Sequence, residues 1–589
     1  MKYILGVNAF HADASAVLLE NGNVIAGIEE EKFTRLKHWS GFPKQSIKWC
    51  LQNANINFSD ISHIGINTNP KSQYFRKIKY LLSTKPNFEF YIDRFRKRSR
   101  GNSIKEILKK EFCENNPLKA QIHYLDHHFC HMSSAYFPSK YSNASVLSID
   151  GFGDFSSTAW GVGMGPNLKL DKRILFPDSL GAFYSSITQF LGFKNYGDEY
   201  KVMGLAPYGK PIYEDELRQF LRINENGIFS LNQKYIYWKK DNPKEENGIP
   251  IIYTHFHPCL EELIGKSRGE NESLNERHKN IASSVQYLYE DAFFKLLNSI
   301  YDQYKIKDLC IAGGCGSNSV ANGKITANTN FESVYIHPSP GDSGGALGAA
   351  LGIWHKYNDQ KCPKMVNVFI GYKASEDEIA NTIKKTIREK KDQIIVKKIG
   401  DRTIKNENDY YDLITSEIIK GKVIGWFQGR VEWGPRALGN RSIIGDPRRQ
   451  DMREIINKKI KMRESFRPFA PSILQEKCNE WFVTKYQEDN HVPYMTKVYK
   501  FKDQKKELVP AVCHVDGTGR LQTVAKDDNE KYYKLIKTFH EKTQVPILLN
   551  TSFNENEPIV CKPKEAMECF LRTKMDIIVI GDFIISKNN

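Results

Sequence analysis

The sequence predicts an α/β protein of two domains, because one strand pattern occurs twice and a chain of 589 residues is too long for a single hydrophobic core. Three β-rich runs at 3–7, 15–19 and 24–28 are separated by polar turns and predict a strand meander. A second version follows at 144–163, where an apolar strand meets a turn at 150–154 that is rich in glycine and aspartate. The repetition predicts a duplicated first domain.

A third element supports this arrangement. A short apolar strand from Leu309 to Ala312 runs into a glycine-rich turn at 313–318, and a helix is expected to begin near Val320. The glycines allow the backbone to approach a ligand closely. Two related lobes of strands and helices are the plan of actin-like, sugar-kinase-like ATPases, which hold nucleotide between the lobes. We therefore expect that fold for the first domain.

A polar, lysine-rich stretch at 356–364 is typical of a linker, and a second β/α section follows it to the C-terminus. We therefore predict a first domain over 1–356 and a second α/β domain over 357–589. The charged stretch 239–247 is interpreted as a surface insertion within the first domain.

Composition limits the function classes. No window approaches the roughly 18 uninterrupted apolar residues that a membrane span requires, and the N-terminus opens as a strand without the apolar core of a signal peptide. We therefore expect a cytoplasmic protein with no membrane partner. The 11 cysteines include no CxxC pair, which argues against a disulfide framework and against a zinc finger.

The formal charge of +16 would suit a nucleic-acid partner, and the run 94–100 is locally similar to a phosphate-binding patch. Lysines are nevertheless spread along the whole chain, so we interpret this run as a solvated basic helix and do not expect nucleic acid as a partner. Part of the charge is available for anionic small substrates.

Two histidines and two carboxylates form a candidate metal site. His127 and His131 are four residues apart on one face of a predicted helix that Asp126 can cap. Such a pair is often incidental, so carboxylates from elsewhere are needed. Asp150 and Asp342 each lie in a glycine-rich turn, where the alternative is a simple turn cap. The mixed donor set favours iron, manganese or zinc over calcium or magnesium.

Cations in the second half predict a phosphate-binding pocket. They lie in apolar or glycine-rich segments, where a buried charge needs an anionic partner: Arg430, Arg436, Arg441, Lys461, Arg463, Arg467 and Arg520. A predicted strand at 545–549 ends in small polar residues that include Asn550 and Ser552. Arginine suits bidentate phosphate recognition, so carbamoyl phosphate with a nucleoside triphosphate is a reasonable ligand pair. The alternative is a lattice of surface salt bridges.

The chain resembles the NodU/CmcH carbamoyltransferases of nodulation-factor and antibiotic biosynthesis over nearly its entire length. The most specific motifs are Gly6–His11, His127–His131, Lys201–Gly209, Trp433–Gly439 and Arg467–Pro471. The resemblance implies a first domain similar to the tRNA threonylcarbamoyl transferase subunit and a YrdC-like second domain. The second domain would convert carbamoyl phosphate and ATP into carbamoyl adenylate. The first would transfer the carbamoyl group to an acceptor hydroxyl, with AMP as the leaving group.

The resemblance also implies residue roles. His127, His131, Asp150 and Asp342 correspond to metal ligands, with Fe2+ as the family's occupant and Mg2+ accompanying ATP. The positions that bind carbamoyl phosphate and the adenylate are Arg436, Lys461, Arg467, Arg520, Asn550 and Ser552. The positions that bind nucleotide in the first domain are Gly313, Gly314, Gly316 and Asn318. His11 is a candidate acceptor for the hydroxyl proton, although it can instead be structural, and Lys37 belongs to the same neighbourhood.

Three other functions remain as alternatives. A tRNA threonylcarbamoyl transferase shares both folds and would use the basic surface, but it usually carries the two domains on separate chains. A hydrogenase-maturation carbamoyltransferase is disfavoured because that family has CxxC zinc fingers and the reverse domain order. A non-catalytic nucleotide-binding protein would leave the cations without a substrate. The sequence leaves open which small-molecule hydroxyl is the acceptor, and whether the protein is a homodimer.

Overall fold

A computed structural model describes residues 2–84, 104–113, 117–238, 245–246, 248–250, 254–365, 367–390 and 393–588. The basic run 94–100 lies outside the described residues, as does most of the charged stretch 239–247. The chain divides into two compact units. Unit 1 comprises Met1–Ala321 and Ile325–Met365, and unit 2 comprises Asn322–Lys324 and Val366–Asn589.

Unit 1 contains two five-stranded sheets with the same topology. The first has the order β3-β2-β1-β4-β5, with β1 (Tyr3–Asn8), β2 (Ser15–Glu20), β3 (Asn23–Glu29), β4 (Ile61–Ile66) and β5 (Gln121–Tyr124). The second has the order β8-β7-β6-β9-β10, with β6 (Asn143–Gly153), β7 (Ser156–Met164), β8 (Asn167–Leu175), β9 (Asp308–Ala312) and β10 (Ser333–Ile336). In each sheet the first three strands form an antiparallel meander, and the last two run parallel to the first. The predicted strands of both meanders are confirmed.

The predicted turn at 150–154 is wrong in its position. Strand β6 continues through Asp150 to Gly153, and the chain reverses at Asp154 and Phe155, which have φ angles of 48° and 69°. The pairing of β6 with β7 changes register between Ile149 and Gly153. Asp150 therefore lies within β6 but at the irregular end of its pairing with β7.

Helices pack on these sheets. The longer ones are α1 (Lys44–Ala54), α2 (Tyr74–Thr84), α3 (His127–Tyr136), α4 (Leu180–Phe190), α5 (Glu276–Tyr304) and α6 (Asp342–Tyr357). Shorter helices are Glu31–Thr34, 104–112, Glu199–Leu205, Glu214–Arg218, Leu260–Ile264, Ser319–Gly323 and Ile325–Asn328. Two short antiparallel pairs are Leu221–Ile223 with Phe229–Leu231, and Glu245–Glu246 with Ile249–Pro250. The helix expected near Val320 is confirmed.

The small residues of α6 explain its close packing. A Cβ atom on Gly6 of β1 would lie 1.9 Å from the carbonyl oxygen of Ala346, and one on Gly348 would lie 1.7 Å from the carbonyl oxygen of Cys130 in α3. Any larger side chain at these positions would push α6 away. The packing therefore holds α6 directly against both β1 and α3.

Unit 2 contains a nine-stranded sheet with the order β11-β19-β18-β12-β13-β17-β14-β16-β15. The strands are β11 (Ile394–Lys398), β12 (Ile424–Phe427), β13 (Arg441–Gly445), β14 (Ala470–Leu474), β15 (Lys497–Lys500), β16 (Thr518–Val524), β17 (Ile547–Ser552), β18 (Ile577–Ile580) and β19 (Phe583–Lys587). Its helices are α7 (Glu376–Lys390), α8 (Glu407–Ile419), α9 (Glu530–Thr543) and α10 (Pro563–Arg572), with shorter ones at Met452–Ile456, Cys478–Trp481 and Asp503–Lys506. The predicted mixed α/β class is confirmed. Among the described residues, no helix is both long enough and apolar enough to cross a bilayer.

Candidate functional site

The four residues predicted as metal ligands lie together in unit 1. Helix α3 presents His127 and His131 one turn apart, with their Nε2 atoms 3.0 Å from each other. Asp150, on β6, places Oδ2 at 3.1 Å from Nε2 of His127 and at 3.4 Å from Nε2 of His131. Asp342 is the first residue of α6, and its Oδ1 lies 3.5 Å from both nitrogens. One ligand atom from each residue lies within 4.8 Å of the others.

This donor set fits a transition-metal ion. Ligand atoms about 2.1 Å from a shared ion lie roughly 3.0 to 3.5 Å from one another, and the distances between the two histidines and from each histidine to each aspartate fall in that range. Both imidazoles are fully buried, and their Nδ1 atoms have no hydrogen-bond partner in the described part of the chain. The Nε2 edges are thus where the rings meet polar groups. Two nitrogens and two carboxylate oxygens suit iron, manganese or zinc.

The pKa values of the cluster residues show that positive charge is stabilised there. Burial acts to lower the pKa of His127, but the hydrogen bond to Asp150 and the charge of Asp342 raise it to about 10. Burial acts to raise the pKa of Asp150, yet hydrogen bonds from His127 and His131 hold that pKa well below its usual range. His128 contrasts with both neighbours: it contacts Ser148 and a backbone carbonyl, and burial lowers its pKa to about 3. Positive charge is therefore favoured at His127 and disfavoured at the adjacent His128.

Two carboxylates hold the N-terminus of α3. The predicted cap is confirmed, since Oδ1 of Asp126 accepts a 3.1 Å hydrogen bond from the Phe129 N–H and a 3.1 Å contact from Arg173. Asp154, which the sequence did not single out, accepts the N–H of His127 at 2.9 Å through Oδ2. Negative charge at a helix N-terminus is favourable. Both carboxylates therefore fix the orientation of the histidine pair.

The glycine-rich turn is bonded directly to the metal-site candidate. The N–H of Gly314 donates a 2.9 Å hydrogen bond to Oδ1 of Asp150. Gly313 has a φ of 89°, and a Cβ there would lie 2.2 Å from the carbonyl oxygen of Ile149, so only glycine fits. The N–H of Gly316 donates to the carbonyl oxygen of Gly313 at 2.8 Å. The predicted nucleotide turn and the four-residue cluster therefore form one continuous structure.

Asn318 has a supporting place in this turn. Its side-chain amide exchanges hydrogen bonds of 3.1 and 3.2 Å with Gln286 of α5, and its Oδ1 accepts the N–H of Ala321 at 3.1 Å. Gln286 lies far away in sequence, so sequence reasoning gave no signal for the pairing. The amide of Asn318 thus ties the turn to α5.

A further histidine, His11, lies beside the cluster. The ring of His11, in the turn after β1, is 5.6 Å from the ring of His127, measured between centroids. Burial lowers the pKa of His11. Two residues later, Oδ1 of Asp13 lies 2.9 Å from Nδ1 of His38. The sequence had indicated His11 and Lys37 here but not this Asp–His pair.

Unit 2 brings several predicted phosphate-binding residues together along β17 and β16. Arg436 lies so near Arg520 that its charge adds to burial in holding the pKa of Arg520 well below its usual range. Nδ2 of Asn550 donates to the carbonyl oxygen of Ala437 at 3.2 Å and to Oε1 of Gln522 at 2.9 Å. A cleft next to these residues is lined by Val368, Phe369, Leu438, Tyr494, Gln522 and Asn529. An anion near the two guanidiniums would offset the repulsion between them.

Lys461 ends a π-helical turn, Asn457–Lys461, and is 2% exposed. Its ammonium donates to the carbonyl oxygens of Ser552 at 2.6 Å and Asn554 at 2.7 Å, and contacts the side-chain oxygens of both residues. An ammonium has three donors, so these protein oxygens already engage them. The predicted loop at 550–554 begins later than expected, because β17 continues through Ser552.

Other cations have different surroundings. Arg441 is fully buried, stacks on Phe427 at 3.6 Å from the ring centroid, and donates to backbone carbonyl oxygens that include Asn440 at 3.0 Å. Arg467 contacts Glu464 at 3.5 Å, and its carbonyl oxygen accepts from Asn457 at 3.4 Å. Asn457 also accepts from Arg463 at 2.7 Å. Arg441 thus stabilises the backbone next to β13. Arg463 and Arg467 both contact Asn457, in the π-helical turn that ends at Lys461.

Comparisons with known proteins agree on one family. The model of the carbamoyltransferase N-terminus matches residues 3–351, and the model of the carbamoyltransferase C-terminus matches 415–587. An uncharacterized protein of Synechocystis is 36% identical over 100% of this chain and 97% of its own length. Nodulation protein NolNO of Sinorhizobium fredii is 35% identical over 98% of this chain and 80% of its own. Nodulation protein NolO of Bradyrhizobium diazoefficiens is 34% identical over 79% of each chain.

A solved structure, component A of (R)-2-hydroxyglutaryl-CoA dehydratase from Acidaminococcus fermentans, is 13% identical to this chain. The aligned region spans 60% of this chain and 99% of the dehydratase component. The TM-score of 0.32 is too low to assign a fold. The family matches cover both units. The chain belongs to the carbamoyltransferase family.

Proposed function

We propose that this protein is an O-carbamoyltransferase that makes carbamoyl adenylate from carbamoyl phosphate and ATP, and then transfers the carbamoyl group to a hydroxyl of a small molecule. The observation that carries this proposal is the shared carboxylate of Asp150. One oxygen faces the two histidines of the cluster, and the other accepts the N–H of Gly314. A metal-held phosphate and a nucleotide at the glycine turn would then be neighbours.

Unit 1 is proposed to be an actin-like, duplicated fold and the transfer domain. The repeated sheet topology supports the duplication, and the turn of Gly313, Gly314, Gly316 and Asn318 is where we expect the adenylate or nucleotide. Backbone N–H groups in such a turn suit phosphate oxygens.

His127, His131, Asp150 and Asp342 would hold the metal, for which we propose Fe2+, with manganese or zinc as substitutes. When bound, the ion would supply positive charge and orientation to the phosphate of the adenylate. The residues of the chain have separate tasks. Asp126 and Asp154 orient the histidine pair, and burial of the cluster excludes water from a labile anhydride. The role of His11 as acceptor of the hydroxyl proton stays a prediction.

Unit 2 is proposed to be a YrdC-like domain that forms the adenylate. Arg436 and Arg520 would bind the phosphate of carbamoyl phosphate, because a dianion would offset the repulsion between two guanidiniums and arginine binds phosphate through two parallel hydrogen bonds. Asn550, Ser552 and Arg467 are proposed to complete the site, with Lys461 holding the segment of Ser552 and Asn554. The cleft lined by Phe369 and Tyr494 is proposed for ATP, which Mg2+ would accompany.

The experiment is a 31P NMR analysis of the protein incubated with ATP, Mg2+ and carbamoyl phosphate in the absence of an acceptor. Adenylate formation gives pyrophosphate and phosphate, and AMP follows as the adenylate breaks down. All of these products should depend on carbamoyl phosphate. Formation of ADP alone, with carbamoyl phosphate left intact, would overturn the adenylate mechanism.

A further inference from the structure

Asp13 and His38 form a half-buried, hydrogen-bonded pair with the geometry of a proton-transfer dyad. Oδ1 of Asp13 lies 2.9 Å from Nδ1 of His38, and the two side chains are 29% and 32% exposed. The contact leaves Nε2 on the opposite edge of the imidazole. A Cβ on Gly197 would lie 3.1 Å from that nitrogen, so the glycine leaves room beside it. A carboxylate that binds one nitrogen sets the tautomer and makes the other a base.

The backbone around this pair is strained in two adjacent loops. Asp13 and His38 have φ angles of 57°, and Phe10 and Arg35 have φ angles of 60°. Non-glycine residues in the left-handed region carry a cost, and they persist where the surrounding structure and function require them. The two loops are joined by a 2.8 Å hydrogen bond from the Ala14 N–H to the Trp39 carbonyl oxygen. Both dyad residues are therefore held by strained but connected backbone.

His38 is fixed on its other sides as well. Its N–H donates a 3.2 Å hydrogen bond to Oε2 of Glu31, whose other oxygen lies 2.9 Å from the Lys32 ammonium. The ring of Tyr196 lies 5.0 Å from the His38 ring, between centroids. The imidazole is thus oriented by a carboxylate, a backbone contact and an aromatic neighbour.

The loop that carries Asp13 also reaches the four-residue cluster. It carries His11, whose ring is 5.6 Å from His127. The ring of Tyr196 lies 5.0 Å from the ring of His38, and the charges of Asp342, Asp13 and Asp150 all act on its phenol. Its phenol is therefore in electrostatic range of both the dyad carboxylate and two carboxylates of the cluster.

We propose that His38, oriented by Asp13, is the general base of carbamoyl transfer. This rests on the function proposed above. The acceptor oxygen forms a bond to the carbamoyl carbon, the bond from that carbon to the adenylate oxygen breaks, and AMP leaves with the electron pair. The hydroxyl proton passes to Nε2 of His38 and then to solvent. His38 is a catalytic residue in this assignment, and Asp13 is a positioning residue.

Burial acts to lower the pKa of His38, but the charge and hydrogen bond of Asp13 outweigh it and raise that pKa. His11 lies next to the His127 ring, at 5.6 Å between centroids, where it can hydrogen-bond the acceptor or the carbamoyl group.

The test compares two nucleophiles with the full-length protein, carbamoyl phosphate and ATP. Glycerol is an alcohol that needs a base, whereas the nitrogen of hydroxylamine attacks without one. The variants are His38→Gly, which suits the left-handed backbone, and Asp13→Asn. Asn55→Gly is the control, because Asn55 also has a left-handed φ of 51° but is exposed at the end of α1. Mass spectrometry measures carbamoylated glycerol and hydroxyurea.

We expect His38→Gly to reduce glycerol carbamoylation about 100-fold or more while hydroxyurea formation stays within a few-fold of wild type. Added imidazole should restore part of the glycerol reaction in His38→Gly but not in Asp13→Asn, and Asn55→Gly should resemble wild type. Equal losses with both nucleophiles, or no loss, would overturn the dyad while leaving the carbamoyltransferase intact. If wild type forms neither product and releases no pyrophosphate that depends on carbamoyl phosphate, the proposed function itself fails and the dyad fails with it.

Discussion

The Gly314 N–H donates a 2.9 Å hydrogen bond to Oδ1 of Asp150, whose Oδ2 lies 3.1 Å from Nε2 of His127. One side chain thus serves the glycine turn and the metal-site candidate at once. This sharing allows the two roles to be separated by substitution.

Asp150→Asn should abolish metal binding but retain the turn, because an asparagine oxygen can still accept the Gly314 N–H. Asp150→Ala should lose both. We expect metal affinity to fall by more than the about 10- to 100-fold cost of losing an outer partner. Bound Fe2+ or Mn2+ per protein measures the first effect, and ATP affinity by calorimetry measures the second. Equal ATP affinity in the two variants would contradict the shared role.

Gly153→Ala should displace His127 without altering any ligand. A Cβ at this position would lie 1.9 Å from Cδ2 of the His127 ring, so the ring must move. We expect a loss of metal comparable to that of a ligand substitution. The control is Gly151→Ala on the same strand, where a Cβ meets no atom within 4 Å among those described. The explanation fails if both variants bind metal equally.

Glu31 should contribute to acid stability. Burial acts to raise its pKa, but the charges of Lys32 and His38 lower it from 4.5 to about 2. Because the folded-state pKa is depressed, the stabilisation is complete above about pH 4.5 and is lost as the pH falls towards 2. The shift corresponds to about 3 kcal/mol.

Glu31→Gln should therefore lower the melting temperature at pH 7 and flatten its decline between pH 5 and about 3. Scanning calorimetry as a function of pH measures both effects. Glu106→Gln, at an exposed ion pair with Lys109, is the control and should change little. If the melting temperature of Glu31→Gln fell with pH as steeply as that of the wild type, this contribution of Glu31 would be ruled out.

Arg436→Gln should stabilise the ligand-free protein and weaken anion binding. The charge of Arg436 depresses the pKa of Arg520, so removing it relieves repulsion in the absence of phosphate. Loss of a charge-assisted hydrogen bond should raise the dissociation constant for inorganic phosphate about 10- to 100-fold. Melting temperatures with and without phosphate give both quantities. Arg449→Gln, at an exposed pair with Asp451, should leave both unchanged; a similar response in the two variants would count against the site.

Local patterns in the sequence predicted a large part of this structure. The spacing of His127 and His131, with Asp126 before them, specified a capped helix with both rings on one face. The strands of unit 1 followed from alternating apolar runs between polar turns. The turn near Asp150 was misplaced because a register shift, set by pairing with β7, cannot be seen in one strand alone.

Contacts distant in sequence were beyond prediction. Asp13 and His38 meet because two loops adopt left-handed backbone at non-glycine residues, and no local motif specifies that. The bonds of Lys461 to Ser552 and Asn554 depend on where β17 ends. Asn318 and Gln286 pair across a turn and a long helix. In each case the two partners are brought together by the tertiary fold and not by a local sequence pattern.

The most direct test of the central claim measures both half-reactions in Arg436→Ala and His127→Ala. Carbamoyl-phosphate-dependent pyrophosphate release reports adenylate formation, and carbamoylation of glycerol reports transfer. The account predicts that Arg436→Ala loses both activities, because no adenylate is made, and that His127→Ala keeps pyrophosphate release but loses transfer. Loss of pyrophosphate release in His127→Ala, with metal-free but folded protein, would contradict two separate sites.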